Sequence, residues 1–305
     1  MSGPRFTIIT ATFNRAPLLR EAIASVEAQR RDDIEHLIID GASTDGTREL
    51  LAAHPKLRVV SEPDHGIYDA FNKGLALARG EIVHFLNSDD LLVPGALDAV
   101  DRAFGDEVDV VSGGVEFFDR DVTGAERVLR RESDLAFSLS AVLRGVPAIN
   151  ARFFRRSFAE RVGSFDPGYR IVADRDFLLR AAVLHPRSVA LPMVVYRYRS
   201  HAGSLTVHDT DRNSALIRAE HVAMAEQRLA DSTDRAELAA LHRRESAVLA
   251  VDAFTSGRWR EAREWAQRGC AVSTRWPLAA LSRLGGWVLG RGSGYTLARS
   301  ESTPR

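Results

Sequence analysis

Carboxylates and short polar side chains gather where apolar runs of this chain break off. The sharpest case is EIVHFLNSDD, Glu81–Asp90, in which Ile82, Val83, Phe85 and Leu86 give way to Asn87, Ser88, Asp89 and Asp90. An unbroken run of β-branched and large apolar residues fits a strand buried on both faces, and the residues after it offer oxygen ligands and turn formers. Open α/β sheets take their ligands just outside the carboxyl ends of their strands, so two adjacent acids there can hold a divalent cation. The same residues can do less: Ser88 or Asp89 can cap the helix that Leu97, Val100 and Phe104 mark out after Pro94. Thr10 and Thr12 follow an earlier apolar run, and Asp40 closes another, where it can bind a ligand or simply start a turn before Gly41. Ser43 and Asp45 read as caps of the next helix. Asp174 and Asp176 open a further helical stretch, VADRDFLLR. A carboxylate sheltered there from water gains basicity and can accept a proton, or it can serve the helix dipole instead.

Such residues act together only if the elements between them bring them to one place. Phe6–Thr10 reads as a strand, and Leu18, Leu19, Ala22, Ile23 and Val26 as a helical stripe with Asn14 available as cap and Pro17 in its first turn. His36–Asp40 and Leu57–Ser61 are two more strands, with a helix through Leu50 and Leu51 between them. Residues 66–79 then carry Ile67, Ala70, Phe71, Leu75 and Ala78 at helical spacing, and Gly80 stops that helix before the strand ending at Asn87. Strand and helix in alternation with short links predict an α/β fold with a mainly parallel central sheet flanked by helices. In such a sheet the polar residues after the first, second and fourth strands lie along one rim. Neither a Walker pattern nor GxGxxG is present, which disfavours a dinucleotide-dependent dehydrogenase. Further on, Val108–Ser112 and Val115–Phe118 read as two strands around Gly113 and Gly114, residues 119–132 as a hairpin or loop, and Val189–Tyr198 as the last strand. Helices follow over 216–229, 236–254 and 259–271.

Composition narrows the class. Lys plus Arg and Asp plus Glu both count 41 in 305 residues, so no global charge points to nucleic acid. The single cysteine, Cys270, forms no intrachain disulfide and agrees with a reducing compartment. No signal segment and no apolar run of about 18 residues is seen, so a cytoplasmic protein is expected, with the inner face of the plasma membrane as one possible station.

The motifs TIITATFNR, LIIDGASTDGT, SEPDHGIYDAFNKGLALARGE, FLNSDD and FDPGYRIVADRDFLLR occur in an order that resembles glycosyltransferase family 2, whose members invert at the sugar and share the nucleotide-sugar-binding fold called GT-A. SEPDHGIYDAFNKG is similar to bacterial members that build surface polysaccharides and glycolipids. The resemblance implies a catalytic domain over 1–206, with a donor half over 1–105 and an acceptor half over 106–206, followed by a helical appendage over 207–305. It implies that Thr10, Ala11, Thr12, Asn14 and Asp40 hold the nucleotide, with Asp69, Lys73 and Asp89 also on the donor. Asp69 and Lys73 read equally well as an ordinary i,i+4 ion pair. Asp90 is implied as ligand of Mn²⁺ or Mg²⁺, with His201 of RSHAGSLT as a second candidate, and Asp174 as catalytic base. Arg199, Ser204 and Asp176 are candidates for phosphate or acceptor contact.

The expected donor is a nucleotide diphosphate sugar, a UDP-sugar first, and the expected acceptor a saccharide or lipid-linked hydroxyl. Two departures stand out: Ala173 precedes Asp174 where the family has Glu, and Ile149 and Asn150 stand where a His-Gln pair is usual. A catalytically silent sugar-nucleotide-binding protein and a nucleotidyltransferase are the alternatives. Near the end, Trp276, Leu278, Leu281, Leu284, Trp287 and Leu289 lie among arginines, which suits an interfacial helix at a membrane, packing on the preceding helices, or a homodimer contact.

Overall fold

The first apolar run folds as a seven-residue strand, β1 (Phe6–Thr12), buried along its whole length. Its neighbours are β2 (Ile34–Asp40) on one side and β4 (Ile82–Asn87) on the other, with β3 (Arg58–Ser61) beyond β2, and all four run parallel. The crossovers are α1 (Ala16–Glu27), α2 (Thr47–Ala52) and α3 (Ile67–Leu77). Register fixes the rim: Thr12 pairs with Asp40 and Ala11 with Asn87, so three strand ends lie level. The computed structural model describes residues 3–133, 136–145, 148–201, 210–229 and 235–288, and the chain divides into two units, Met1–Ser204 and Leu205–Arg305.

After β4 the pairing becomes mixed. The short β5 (Leu91–Leu92) and helix α4 (Ala96–Ala103) lead to β6 (Val110–Arg120), which forms a hairpin with β7 (Glu126–Glu132). Then come α5 (Leu139–Arg144), β8 (Arg152–Arg155), α6 (Arg156–Val162), α7 (Ala173–Val183) and β9 (Ser188–Arg199). The order across the sheet is β3-β2-β1-β4-β8-β6-β9-β5, with β8 antiparallel to both its neighbours and β6 parallel to β9. The fold is a mixed α/β sheet flanked by helices, parallel from β3 through β4, as the GT-A resemblance implies. The two strands read around Gly113 and Gly114 are one continuous strand. A Cβ on Gly113 would meet Val195 Cγ1 at 2.5 Å, so the missing side chain lets β6 lie against β9, and the register slips there rather than breaking.

Aromatic rings hold this unit together. Phe85 of β4 lies 5.0 Å from Phe71 of α3 and 5.0 Å from Phe165, and Phe165 stacks on Phe177 of α7 at 4.6 Å between ring centroids. Burial of such rings is the largest single apolar contribution a core residue makes. It ties α7, and therefore Asp174, to the strand that ends in the acidic turn.

The second unit is helical: α8 (Thr210–Leu229), α9 (Arg235–Thr255), α10 (Trp259–Val272) and α11 (Trp276–Val288). Gly257, at φ +75°, makes the break between α9 and α10 that the sequence signals. Trp276 is buried, donates through Nε1 to Ser246 Oγ at 2.9 Å, and sits where a Cβ on Gly269 would be 2.0 Å from it. Leu278 and Leu281, by contrast, are exposed. Part of the Trp276–Leu289 stretch therefore packs and part faces outward, while the side chain of Trp287 and all of Leu289 lie outside the described residues.

Candidate active site

The turn after β4 sends its two acids in opposite directions. Asp90 is 1% exposed. Its Oδ1 accepts from the Arg199 backbone N–H at 2.7 Å, and its Oδ2 accepts from Asn87 Nδ2 at 2.9 Å and from the Tyr196 hydroxyl. Burial pushes its pKa up to about 8, the neighbouring Asp89 charge pushes the same way, and the three donors pull against both. Asp89 stays partly open to water. Its Oδ2 meets His201 Nε2 at 2.9 Å and Arg15 Nη1 at 2.8 Å, joining residues 112 positions apart. Asp90, the expected metal ligand, accepts three hydrogen bonds that hold the turn, while Asp89 and His201 meet on its partly exposed side.

This set suits a cation that arrives with its substrate. Among the described residues no three His, Cys, Asp or Glu side chains gather into a metal cage. Mg²⁺-like ions commonly take one or two protein ligands and complete their shell with water and substrate phosphate, and one carboxylate with one imidazole fits that pattern.

At the other end of the rim, Asp40 is fully buried and accepts from Ser61 Oγ at 2.6 Å and from the Ser43 N–H at 3.2 Å. Beside it the Thr12 hydroxyl is buried with no hydrogen-bond partner, an orphan that a nucleotide hydroxyl or ring nitrogen would satisfy. Thr10 does not share this place, because its Oγ1 is taken by His36 Nε2 at 3.0 Å inside the sheet. Ala11 is a buried strand residue between Ile39 and Asn87. Asn14 is not the cap of α1. It adopts φ +52° and its Oδ1 accepts from the Thr44 N–H at 2.8 Å, while Asp45 reaches over to accept from the Ala16 N–H at 3.1 Å. The side chains of two adjacent loops thereby lock each other.

Asp174 lies partly buried in the first turn of α7, with the Arg175 N–H donating to its Oδ1 at 2.7 Å. Burial raises its pKa to about 6, against the pull of the Arg175 and Arg152 charges. Asp176 is fully buried and forms an i,i+4 ion pair with Arg180 at 2.9 Å, which holds the first turn of α7. Arg199 is also committed: its Nε donates to the Asp89 carbonyl at 2.9 Å and its Nη2 to Glu21 at 2.7 Å. Asp69 pairs with Lys73 at 3.4 Å and accepts from the His65 N–H, while Lys73 also reaches Glu62 at 3.0 Å, so the pair closes its own loop. Ser204 lies outside the described residues. Asn150, one of the two family departures, donates to the Phe85 carbonyl at 2.9 Å and so pins β4.

Two residues of this rim escaped the sequence reading. Arg15 lies against both Asp89 and His201, and Phe13 is 58% exposed at the end of β1 next to Gly41. Both stand in TATFNR. An exposed Phe and an Arg directly after a strand that ends level with Asp40 were the available signal.

A sheet of this order, with an acidic turn at the end of β4 and a buried carboxylate level with it on β2, is that of the GT-A glycosyltransferases. The chain belongs to glycosyltransferase family 2, whose profile, "Glycosyl transferase family 2", matches residues 7–171. It is 36% identical over 191 residues to an uncharacterized glycosyltransferase of Mycobacterium tuberculosis, covering 60% of this chain and 71% of that one. A PGL/p-HBAD biosynthesis glycosyltransferase of the same organism is 31% identical over 194 residues, covering 59% and 70%. Among solved structures, S. aureus TarS 1-349 in complex with UDP-GlcNAc superposes with a TM-score of 0.68 at 17% identity, covering 92% of this chain and 85% of that one. The mannosyltransferase PcManGT from Pyrobaculum calidifontis, in complex with GDP-Man and Mn²⁺, gives 0.58 at 23% identity, covering 95% and 81%.

Proposed function

We propose that this glycosyltransferase moves a sugar, with inversion, from a nucleotide diphosphate donor to a hydroxyl of a saccharide or lipid-linked acceptor in surface glycolipid or polysaccharide synthesis. The reading is carried by one observation: Asp89 and His201, distant in sequence, meet at the rim beside the buried, strand-locked Asp90. Relatives named for PGL/p-HBAD biosynthesis support the class of acceptor, and neighbours solved with UDP-GlcNAc and with GDP-Man support a nucleotide diphosphate sugar as donor, a UDP-sugar being the first to try.

Asp89 and His201 would hold a Mn²⁺ or Mg²⁺ ion, which supplies charge neutralisation for the diphosphate as it leaves. Thr12 and Asp40 receive the nucleoside, and Arg15 offers a guanidinium to the phosphates in place of its pairing with Asp89. Asp174 takes the acceptor proton as the hydroxyl attacks, and burial makes its carboxylate a better base than an exposed one at neutral pH. One base opposite one leaving group gives a single in-line displacement, so the anomeric configuration flips and no sugar is bound to the enzyme. The division of the chain at about residue 206 into catalytic and helical parts belongs to the same reading.

The test is a calorimetric titration of nucleoside diphosphates and their sugars with and without Mn²⁺, followed by NMR of the anomeric centre of the product. Metal-dependent binding of one diphosphate sugar and an inverted product are expected. Retained configuration, or donor binding that Asp89→Ala leaves unchanged, overturns the proposal.

A further inference from the structure

Residues 256–288 carry six arginines and two glutamates in a chain whose total charge is zero, so positive charge is concentrated there. Arg268 is neutralised by Glu226 at 2.7 Å and Arg258 by Glu261 at 2.8 Å. Among the described residues, Arg260, Arg263 and Arg275 meet no acidic partner, and all three are exposed. Large apolar side chains are exposed on the same helices: Trp259 is 62% exposed, Leu278 68% and Leu281 63%, and the nearby Phe254 of α9 is 47% exposed. They are not scattered singly. Phe254, Trp259, Arg263, Leu281 and Leu284 line one apolar concavity of about 360 Å³, in which the Phe254 and Trp259 rings meet edge to face at 4.8 Å.

We infer that this face of α10 and α11 docks on a membrane surface bearing anionic lipid headgroups. Each half of the surface asks for that occupant. Exposed Trp, Phe and Leu gain by leaving water for the interfacial layer of a bilayer, where Trp is especially favoured. Unpaired arginines on α10 and just before α11, of which Arg263 lines the concavity, gain from negative headgroups, each contributing roughly fivefold in affinity near such a surface. A second copy of the chain fits less well, since a two-fold contact presents the same patch on both sides and would set arginine against arginine. No described helix is long and apolar enough to cross a membrane, so the contact is a peripheral one. The inference is independent of the donor and of the chemistry, and its failure would leave the transferase reading as it stands.

Sedimentation of the full chain with vesicles tests it, using phosphatidylcholine alone and phosphatidylcholine with roughly one-third phosphatidylglycerol. Binding to the mixed vesicles is expected to exceed binding to the neutral ones at least tenfold and to weaken with salt. Leu278→Glu with Leu281→Glu should lower it at least tenfold, and Arg260→Ala with Arg263→Ala and Arg275→Ala should remove the preference for the anionic lipid. Both sets change exposed side chains, so cooperative unfolding and affinity for the donor should persist. Absence of wild-type binding to either vesicle overturns the inference, as do equal binding to both and variants that bind like wild type. A dimer in solution that Leu278→Glu with Leu281→Glu dissociates, with no vesicle binding, overturns it in favour of self-association.

Discussion

The two acid pairs of this enzyme, Asp89–Asp90 after β4 and Asp174–Asp176 at the start of α7, share one plan and differ in how it is executed. In each pair one carboxylate is buried and the other is left available. At α7 the buried member is satisfied from its own helix, by Arg180 one turn on. At β4 the buried member is satisfied across the sheet, by Tyr196 and the Arg199 N–H of β9 more than a hundred residues away. A local partner steadies a helix; a distant one fixes the position of another strand relative to the turn. The β4 pair therefore ties distant elements of the fold together, whereas under the proposed function the α7 pair only has to present one base.

Substitutions can separate the four carboxylates. Asp174→Asn should have the largest effect on transfer, a loss of roughly 10²- to 10⁴-fold at saturating donor with donor affinity kept. The wild-type rate should fall as pH drops through about 6, and the variant should lose that limb. Its stability moves the other way. Because the folded pKa is raised above the ordinary carboxylate value, the group stabilises the fold at low pH and that contribution is lost as pH rises through the folded value. Asp174→Asn should therefore gain about 1–2 kcal/mol in urea unfolding at about pH 8 and nothing below about pH 4. If transfer falls more for Asp176→Asn than for Asp174→Asn, the base has been placed on the wrong acid.

Asp89→Ala should follow, with transfer lowered roughly 10²- to 10³-fold and metal-dependent donor binding lost, as several kcal/mol of charge stabilisation would imply. Its unfolding midpoint should hardly move. Asp90→Ala should show the reverse balance in calorimetry and urea unfolding: about 2–5 kcal/mol of stability lost, because three buried donors are left without their acceptor. Equal stability of the two variants would erase the contrast between an organising and a presenting carboxylate. The smallest effect is expected for Asp69→Ala, about 0.3–0.5 kcal/mol with donor affinity unchanged, which a donor titration checks.

The same contrast explains what could be read from the chain before its fold was known. The buried run ending at Asn87, the parallel strands before it and the level of Asp40 with Thr12 follow from local periodicity and from the rule for open sheets, so they were legible. Asp176 as a helix-terminal acid was legible too, because its partner Arg180 lies within one turn. The resemblance put the metal on Asp90 and the donor on Asp89, whereas the burial that separates the two depends on Tyr196 and Arg199, whose approach is a property of the tertiary fold. Arg199 misled for a related reason: its sequence neighbourhood suggests phosphate, whereas Glu21 of α1 holds its guanidinium. Asn14 suggested a cap because nothing in its neighbourhood reveals that Asp45 reaches across from the next loop. The Gly113–Gly114 pair read as a break because its use, close approach to Val195, is visible only once β9 is in place.

The short ladder between β5 and β9, in which Leu91 pairs with Arg197 and Leu92 with Tyr196, sets a limit on how this chain can lengthen. Side chains alternate along a strand, so one residue inserted between Tyr196 and His201 would either turn Tyr196 away from Asp90 or displace His201 by roughly one strand step of 3.3 Å. The exposed turn at Asp121–Ala125 carries no such constraint, because the hairpin it closes can grow into open space. Among descendants of this sequence, length variation should accumulate at that turn, while the distance along the chain from Tyr196 to His201 stays fixed.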